Sequence, residues 1–128
     1  MENLFIEKTN KSPEVDFNTN GHLSIWGRLF LLPEPAVFMD KLHNWIDIYV
    51  VNPAPTTKFS IGIGHTGRKC WRRFLDIAKK LASIQDQEHS VIIAWHYEDW
   101  DTDLQQGLEY ELQILKVEFA LVPVSDIE

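Results

Sequence analysis

Lys58-Phe59-Ser60-Ile61-Gly62-Ile63-Gly64-His65-Thr66-Gly67-Arg68-Lys69-Cys70-Trp71-Arg72-Arg73-Phe74-Leu75 is the stretch that decides the fold. Lys58–Ile63 reads as a strand, and Gly64-His65-Thr66-Gly67 reads as the turn that ends it. A helix then runs to about Ile84, with Trp71, Phe74, Leu75, Ala78 and Leu81 on one face at helical spacing. The change of period from two to 3.6 marks a strand feeding a crossover helix.

The same alternation continues toward the C-terminus. Ser90–Tyr97 is a strand, and its nearly unbroken apolar run Val91–Trp95 predicts burial on both faces. Thr102–Leu115 is a helix with Leu104, Leu108, Leu112 and Leu115 on one side, and Thr102 with Gln105 is a candidate capping box. Val117–Val124 is the last strand. Toward the N-terminus, Ala36–Val50 carries a helical stripe of Phe38, Leu42, Trp45, Ile46 and Tyr49. Pro33 and Pro35 suit its first turn, and Asn52-Pro53-Ala54-Pro55 ends it. Asn18-Thr19-Asn20-Gly21 is a hairpin turn separating Glu14–Asn18 from the run His22–Trp26, in which Leu23 and Ile25 share a face. The expected fold is one α/β domain over residues 1–128. It is a mixed sheet with parallel central strands, an antiparallel N-terminal hairpin and about three helices mainly on one face.

Composition narrows the function. Hydrophobic residues make up 45% and charged residues 24% of 128, ordinary values for a globular chain. Nineteen acids against twelve bases give a net charge of -7, which disfavours non-specific binding to nucleic acid. The single cysteine, Cys70, precludes an internal disulfide and fits a reducing compartment. No secretory signal and no membrane-spanning run is visible, so a cytoplasmic location is expected, away from membranes.

Three features carry possible chemistry. Gly62-x-Gly64-x-x-Gly67 matches a dinucleotide-binding fingerprint, with Asp86 as its downstream acid. Against it, Gly62 falls inside a strand pattern, and glycines that permit a tight turn and close packing explain the spacing equally. Tyr97-Glu98-Asp99-Trp100-Asp101-Thr102-Asp103 lacks the glycine and the distal glutamate of a calcium loop, and the five histidines show no paired ligand spacing. No metal, cofactor or catalytic residue is therefore expected. The third feature is Thr66, at the start of a helix of unusual charge. Residues 68–80 hold six bases (Arg68, Lys69, Arg72, Arg73, Lys79, Lys80) and one acid, Asp76, whereas residues 81–128 hold one base and eleven acids. Thr66 suits a helix N-cap. A phosphate on the same oxygen would meet the positive end of the helix and the side chains of Arg68 and Lys69. The basic face is either solvated or a surface for an acidic partner.

Met1 to Glu7, the segment Thr9–Phe17 with Ser12-Pro13-Glu14-Val15, Gly21–Ile25, Gly27-Arg28 and Pro33-Glu34 together resemble the SiaC family of bacterial regulatory phosphoproteins. Trp45, the strand leading to His65-Thr66, and Trp95-His96-Tyr97 with its following acids continue the likeness over nearly the whole chain. The resemblance implies a fold like that of anti-sigma-factor antagonist (STAS) domains and a non-catalytic partner switch. A dedicated kinase would phosphorylate Thr66, and a metal-dependent serine/threonine phosphatase would reverse it. The unphosphorylated form would bind an effector such as a diguanylate cyclase in c-di-GMP signalling. Arg68, Lys69, Arg72 and Arg73 are the candidate partner-binding residues. The family's Asn-Thr-Ser-Ser phosphosite stretch stands here as His65-Thr66-Gly67-Arg68, so only the threonine carries over. Two readings compete with the switch: a small nucleotide-binding protein using the three glycines, and a constitutive adaptor in which Thr66 is only a cap.

Overall fold

The structure, a computed structural model, describes residues 1–29, 35–64 and 70–128. In chain order the elements are β1 (Leu4–Ile6), β2 (Glu14–Phe17), β3 (His22–Arg28), α1 (Pro35–Tyr49), β4 (Thr56–Gly64), α2 (Cys70–Ala82), β5 (Ser90–Glu98), α3 (Thr102–Leu115) and β6 (Glu118–Val124). The six strands form one sheet in the order β1-β2-β3-β4-β5-β6. β1, β2 and β3 pair antiparallel, while β3, β4, β5 and β6 run parallel. Because the strand order never reverses, every right-handed crossover steps the same way and leaves its helix on the same side of the sheet.

Burial agrees with that geometry. Val15, Phe17, Leu23, Ile25, Phe59, Ile61, Val91, Ile93 and Trp95 point into one core. It is closed by Leu42 and Ile46 of α1, by Phe74, Leu75, Ile77, Ala78 and Leu81 of α2, and by Leu108 and Leu112 of α3. The opposite sheet face, with Ser24, Trp26, Ser60, Ile92, Ala94 and His96, is only half-covered or exposed. β5 is therefore not buried on both faces, as its apolar run predicts. Val91, Ile93 and Trp95 are buried, whereas Ile92 and Ala94 between them are partly exposed, since no layer covers that side.

Two turns explain how the chain reverses. In the β2–β3 turn, Gly21 adopts φ +102, a region that favours glycine, and its amide donates to the Asn18 carbonyl at 3.0 Å. The Asn18 and Asn20 side chains accept from the Asn20 and His22 amides, so the turn holds itself together. At the start of α3 the cap is Asp101 and not Thr102: its carboxylate accepts from the Leu104 amide, and Thr102 is already helical. A carboxylate does this better than a hydroxyl because it also complements the helix dipole.

Candidate functional site

The parallel strands β3, β4, β5 and β6 end together at Arg28, Gly64, Glu98 and Val124. The connection carrying Thr66 leaves β4 from this edge and rejoins described structure at Cys70, the first residue of α2. His65, Thr66, Gly67, Arg68 and Lys69 themselves lie outside the described residues, as do Pro33 and Glu34 and the side chain of Cys70. Arg72 and Arg73 are described, with side chains 65% and 49% exposed.

The basic face of α2 is matched by acids of the helices on either side. Arg72 Nη1 and Lys79 Nζ each lie 4.0 Å from the Glu111 carboxylate of α3. Arg73 Nη2 lies 3.8 Å from Asp40 and Lys80 Nζ 2.8 Å from Asp47, both on α1. The Arg72 guanidinium also sits 5.0 Å from the centre of the Trp71 ring, at cation–π range. Lys80 Nζ donates to His43 Nδ1 at 3.0 Å, and His43 Nε2 faces the Arg73 carbonyl at 3.2 Å, which assigns the imidazole proton to Nε2. Burial, and then the Lys80 charge, hold the His43 pKa below its usual value.

The edge at which the parallel strands end is held by residues that no local motif picks out. Ile127 is fully buried and its backbone lies against Gly64, where a Cβ would collide with it. The Ile127 amide donates to Glu98 Oε2 at 3.4 Å, and Glu98 is itself buried. Arg28 Nη2 lies 3.9 Å from both Asp126 and Glu128, on either side of Ile127. Hydrogen bonding to Glu128 and then to Glu98, with the charge of Arg28, holds the Asp126 carboxyl below its ordinary pKa.

This geometry undoes the dinucleotide reading. Gly62 lies inside β4 beneath the Trp26 indole, and Gly64 is filled by Ile127. Asp86 precedes β5, at the opposite end of the sheet, where its carboxylate caps the turn to Glu88 and His89. A sheet with uninterrupted strand order also has no switch point at which a dinucleotide could lie. Among the described residues the histidines do not gather: His43 faces Lys80, His89 pairs with Asp86, and His96 packs edge-on against Trp26. Among the described residues no cluster of metal-ligating side chains exists, and no helix is long and apolar enough to cross a membrane.

Known proteins bear on this arrangement. The crystal structure of apo-SiaC from Pseudomonas aeruginosa superposes with a TM-score of 0.77 at 16% identity, covering 95% of this chain and 99% of that one. A second structure of SiaC from the same organism gives 0.77 at 18% identity, with 97% and 100% covered. The SiaC chain in the crystal structure of diguanylate cyclase SiaD in complex with its activator SiaC, also from Pseudomonas aeruginosa, gives 0.76 at 16% identity, with 94% and 99% covered. At these identities the likeness establishes the fold. Among curated protein sequences none matches this chain. The family model for SiaC family regulatory phosphoproteins matches residues 6–124, from the end of β1 to the end of β6. With strands β2 to β6 and all three helices inside that match, the chain belongs to the SiaC family of regulatory phosphoproteins.

Proposed function

We propose that this protein is a non-catalytic partner switch whose state is set by phosphorylation of Thr66. The observation that carries the reading is one of position. In a chain of a regulatory phosphoprotein family, the segment joining β4 to α2 holds a single hydroxyl residue, Thr66, next to the most basic stretch of the sequence. A dedicated kinase adds the phosphate and a serine/threonine phosphatase removes it. The protein works in the cytoplasm, as its one cysteine and its family suggest.

The unphosphorylated form binds an effector, and the relative seen with its diguanylate cyclase makes a cyclase the first candidate class. Arg68, Lys69, Arg72 and Arg73 supply the contact. The ion pairs of Arg72 and Arg73 with Glu111 and Asp40 are long and solvent-exposed, so a partner carboxylate can replace them at little cost. A phosphate adds about -1.5 to -2 charges at neutral pH beside this surface and competes for it.

The test is capture of a diguanylate cyclase from the same cell by wild type, Thr66→Ala and Thr66→Asp, with circular dichroism as the folding control. Thr66→Ala is expected to bind and to resist the kinase, while Thr66→Asp binds less and stays folded. Equal capture by all three proteins would leave Thr66 a helix cap and the protein a constitutive adaptor.

A further inference from the structure

The two lateral edges of the sheet are unequal. β1, on one side, is three residues long, whereas β6, on the other, runs for seven residues with one charge, Glu118, and an unbroken register on β5. Among the described residues no strand lies beyond β6. The tail after it does not cover its free side. Residues 126–128 turn back over the strand ends instead, where Ile127 meets Gly64 of β4 and the Asp126 and Glu128 carboxylates face Arg28 of β3. A long, apolar edge of this kind presents a row of unpaired backbone groups, a template for a further strand.

Which groups are free follows from the ladder. Val124 stands opposite Glu98, and its carbonyl accepts from the Asp99 amide at 2.8 Å, so Val124 turns its backbone toward β5. Alternation turns Glu118, Ala120 and Val122 the same way and leaves the backbone groups of Phe119, Leu121 and Pro123 pointing outward. Pro123 has no N–H, and an outward position on an edge strand is where a sheet tolerates it. Within β6 the free donors are therefore the Phe119 and Leu121 amides. Their side chains lie on the helix side, only partly buried, while Ala120 is exposed on the other face.

We propose that β6 is a self-pairing edge: a second copy of this chain adds its own β6 antiparallel about a two-fold axis at Ala120, joining two six-stranded sheets into one. In this register Phe119 stands opposite the partner's Leu121, and Leu121 opposite the partner's Phe119. All four free amides of the two strands then find carbonyls. Centring on Leu121 instead would set each Phe119 carbonyl against a proline that cannot donate, so Pro123 selects the register. The side chains agree with the backbone. Phe119 and Leu121 form apolar cross-strand pairs, and Glu118 falls opposite the partner's Val122, so no like charges meet. A two-fold pairing is closed and consumes the free edge of both copies. One strand edge buries well under the roughly 800 Å² per partner of a standard interface, so the dimer is weak, in the micromolar range. The pairing requires neither Thr66 nor its phosphorylation.

Analytical ultracentrifugation of the full chain, from micromolar to millimolar concentration, reads the pairing, with circular dichroism as the folding control. Wild type is expected to pass from monomer to dimer. Ala120→Lys and Ala120→Glu each place like charges across the axis and should each weaken the dimer by about tenfold, whereas an equal mixture of the two should dimerise at least as well as wild type. In a Cys70→Ser background, Ala120→Cys should form an intermolecular disulfide under oxidised glutathione, because the facing Cα atoms lie about 4.5 Å apart. Glu118→Cys should not, its two copies standing about 13 Å apart. The Phe119 and Leu121 amides should exchange more slowly as concentration rises, while those of Ala120 and Val122, already bonded to β5, should not change. A chain that stays monomeric throughout would overturn the proposal, as would a dimer that neither Ala120 variant weakens. Monomeric protein whose capture of a diguanylate cyclase is lost in both Ala120→Lys and Ala120→Glu would also overturn it, by giving the edge to another protein.

Discussion

The indole of Trp26 on β3 lies across Gly62 of β4, its partner in the parallel register, in space that exists because Gly62 has no side chain. Trp26 stays 36% exposed on the uncovered sheet face, with His96 of β5 edge-on to it at 5.2 Å between ring centres. Gly62 is thus a packing residue. Gly62→Ala is expected to cost about 1–3 kcal/mol through overpacking, read as a fall in melting temperature. The same change in a Trp26→Ala background should cost less by about 0.5 kcal/mol or more, because the two residues share one space. Equal costs in both backgrounds would show that the glycine is needed for another reason.

Arg72 and Arg73 offer a cleaner separation of surface from fold. Their partners lie at 4.0 and 3.8 Å, and both side chains are largely in solvent. Arg72→Ala and Arg73→Ala should therefore each change unfolding free energy by less than about 1 kcal/mol in urea titrations. Partner capture lost by these variants then reports on contact, since the domain remains intact. A larger loss of stability would mean that the ion pairs joining α2 to its neighbours are part of the framework.

His43 sets a pH dependence. Burial and the facing Lys80 charge depress its folded pKa, while the Asp76 charge and the hydrogen bond to the Arg73 carbonyl act in the other direction. The unfolded chain consequently binds more protons between the folded value and the ordinary imidazole value, so stability falls as pH drops through that window. Thermal unfolding of wild type between pH 8 and 5 should lose more on acidification than that of His43→Gln, which keeps a donor and an acceptor but cannot titrate. Parallel curves for the two proteins would contradict this assignment.

Much of the fold could be read locally. α2 has its apolar residues on one face, and Asn18–Gly21 has the residues its turn demands, so both follow from neighbours in sequence. β1, three residues long, has too few positions to show a period. The run Val91–Trp95 is equally apolar at every position and does not tell which side a helix layer will cover, so its half-open face emerges only from the sheet order. Arg28 and Glu98 were not legible as site residues. Their partners Asp126, Ile127 and Glu128 are brought to them by the course of β6, and no spacing in the sequence encodes that meeting. Thr66, which lies outside the described residues, is singled out only by its place between strand and helix in the sequence and by the family likeness, whereas the acids of α1 and α3 that balance α2 have no local signal at all.

The central claim is that phosphate at position 66 weakens the hold on the effector. Its most direct measurement is the affinity of a diguanylate cyclase from the same cell for two preparations of this protein, one unmodified and one with phosphothreonine built in at Thr66. The account predicts a drop of roughly 5- to 150-fold, the usual scale of coupling between two sites, with both preparations equally folded. Equal affinities for the two would contradict it.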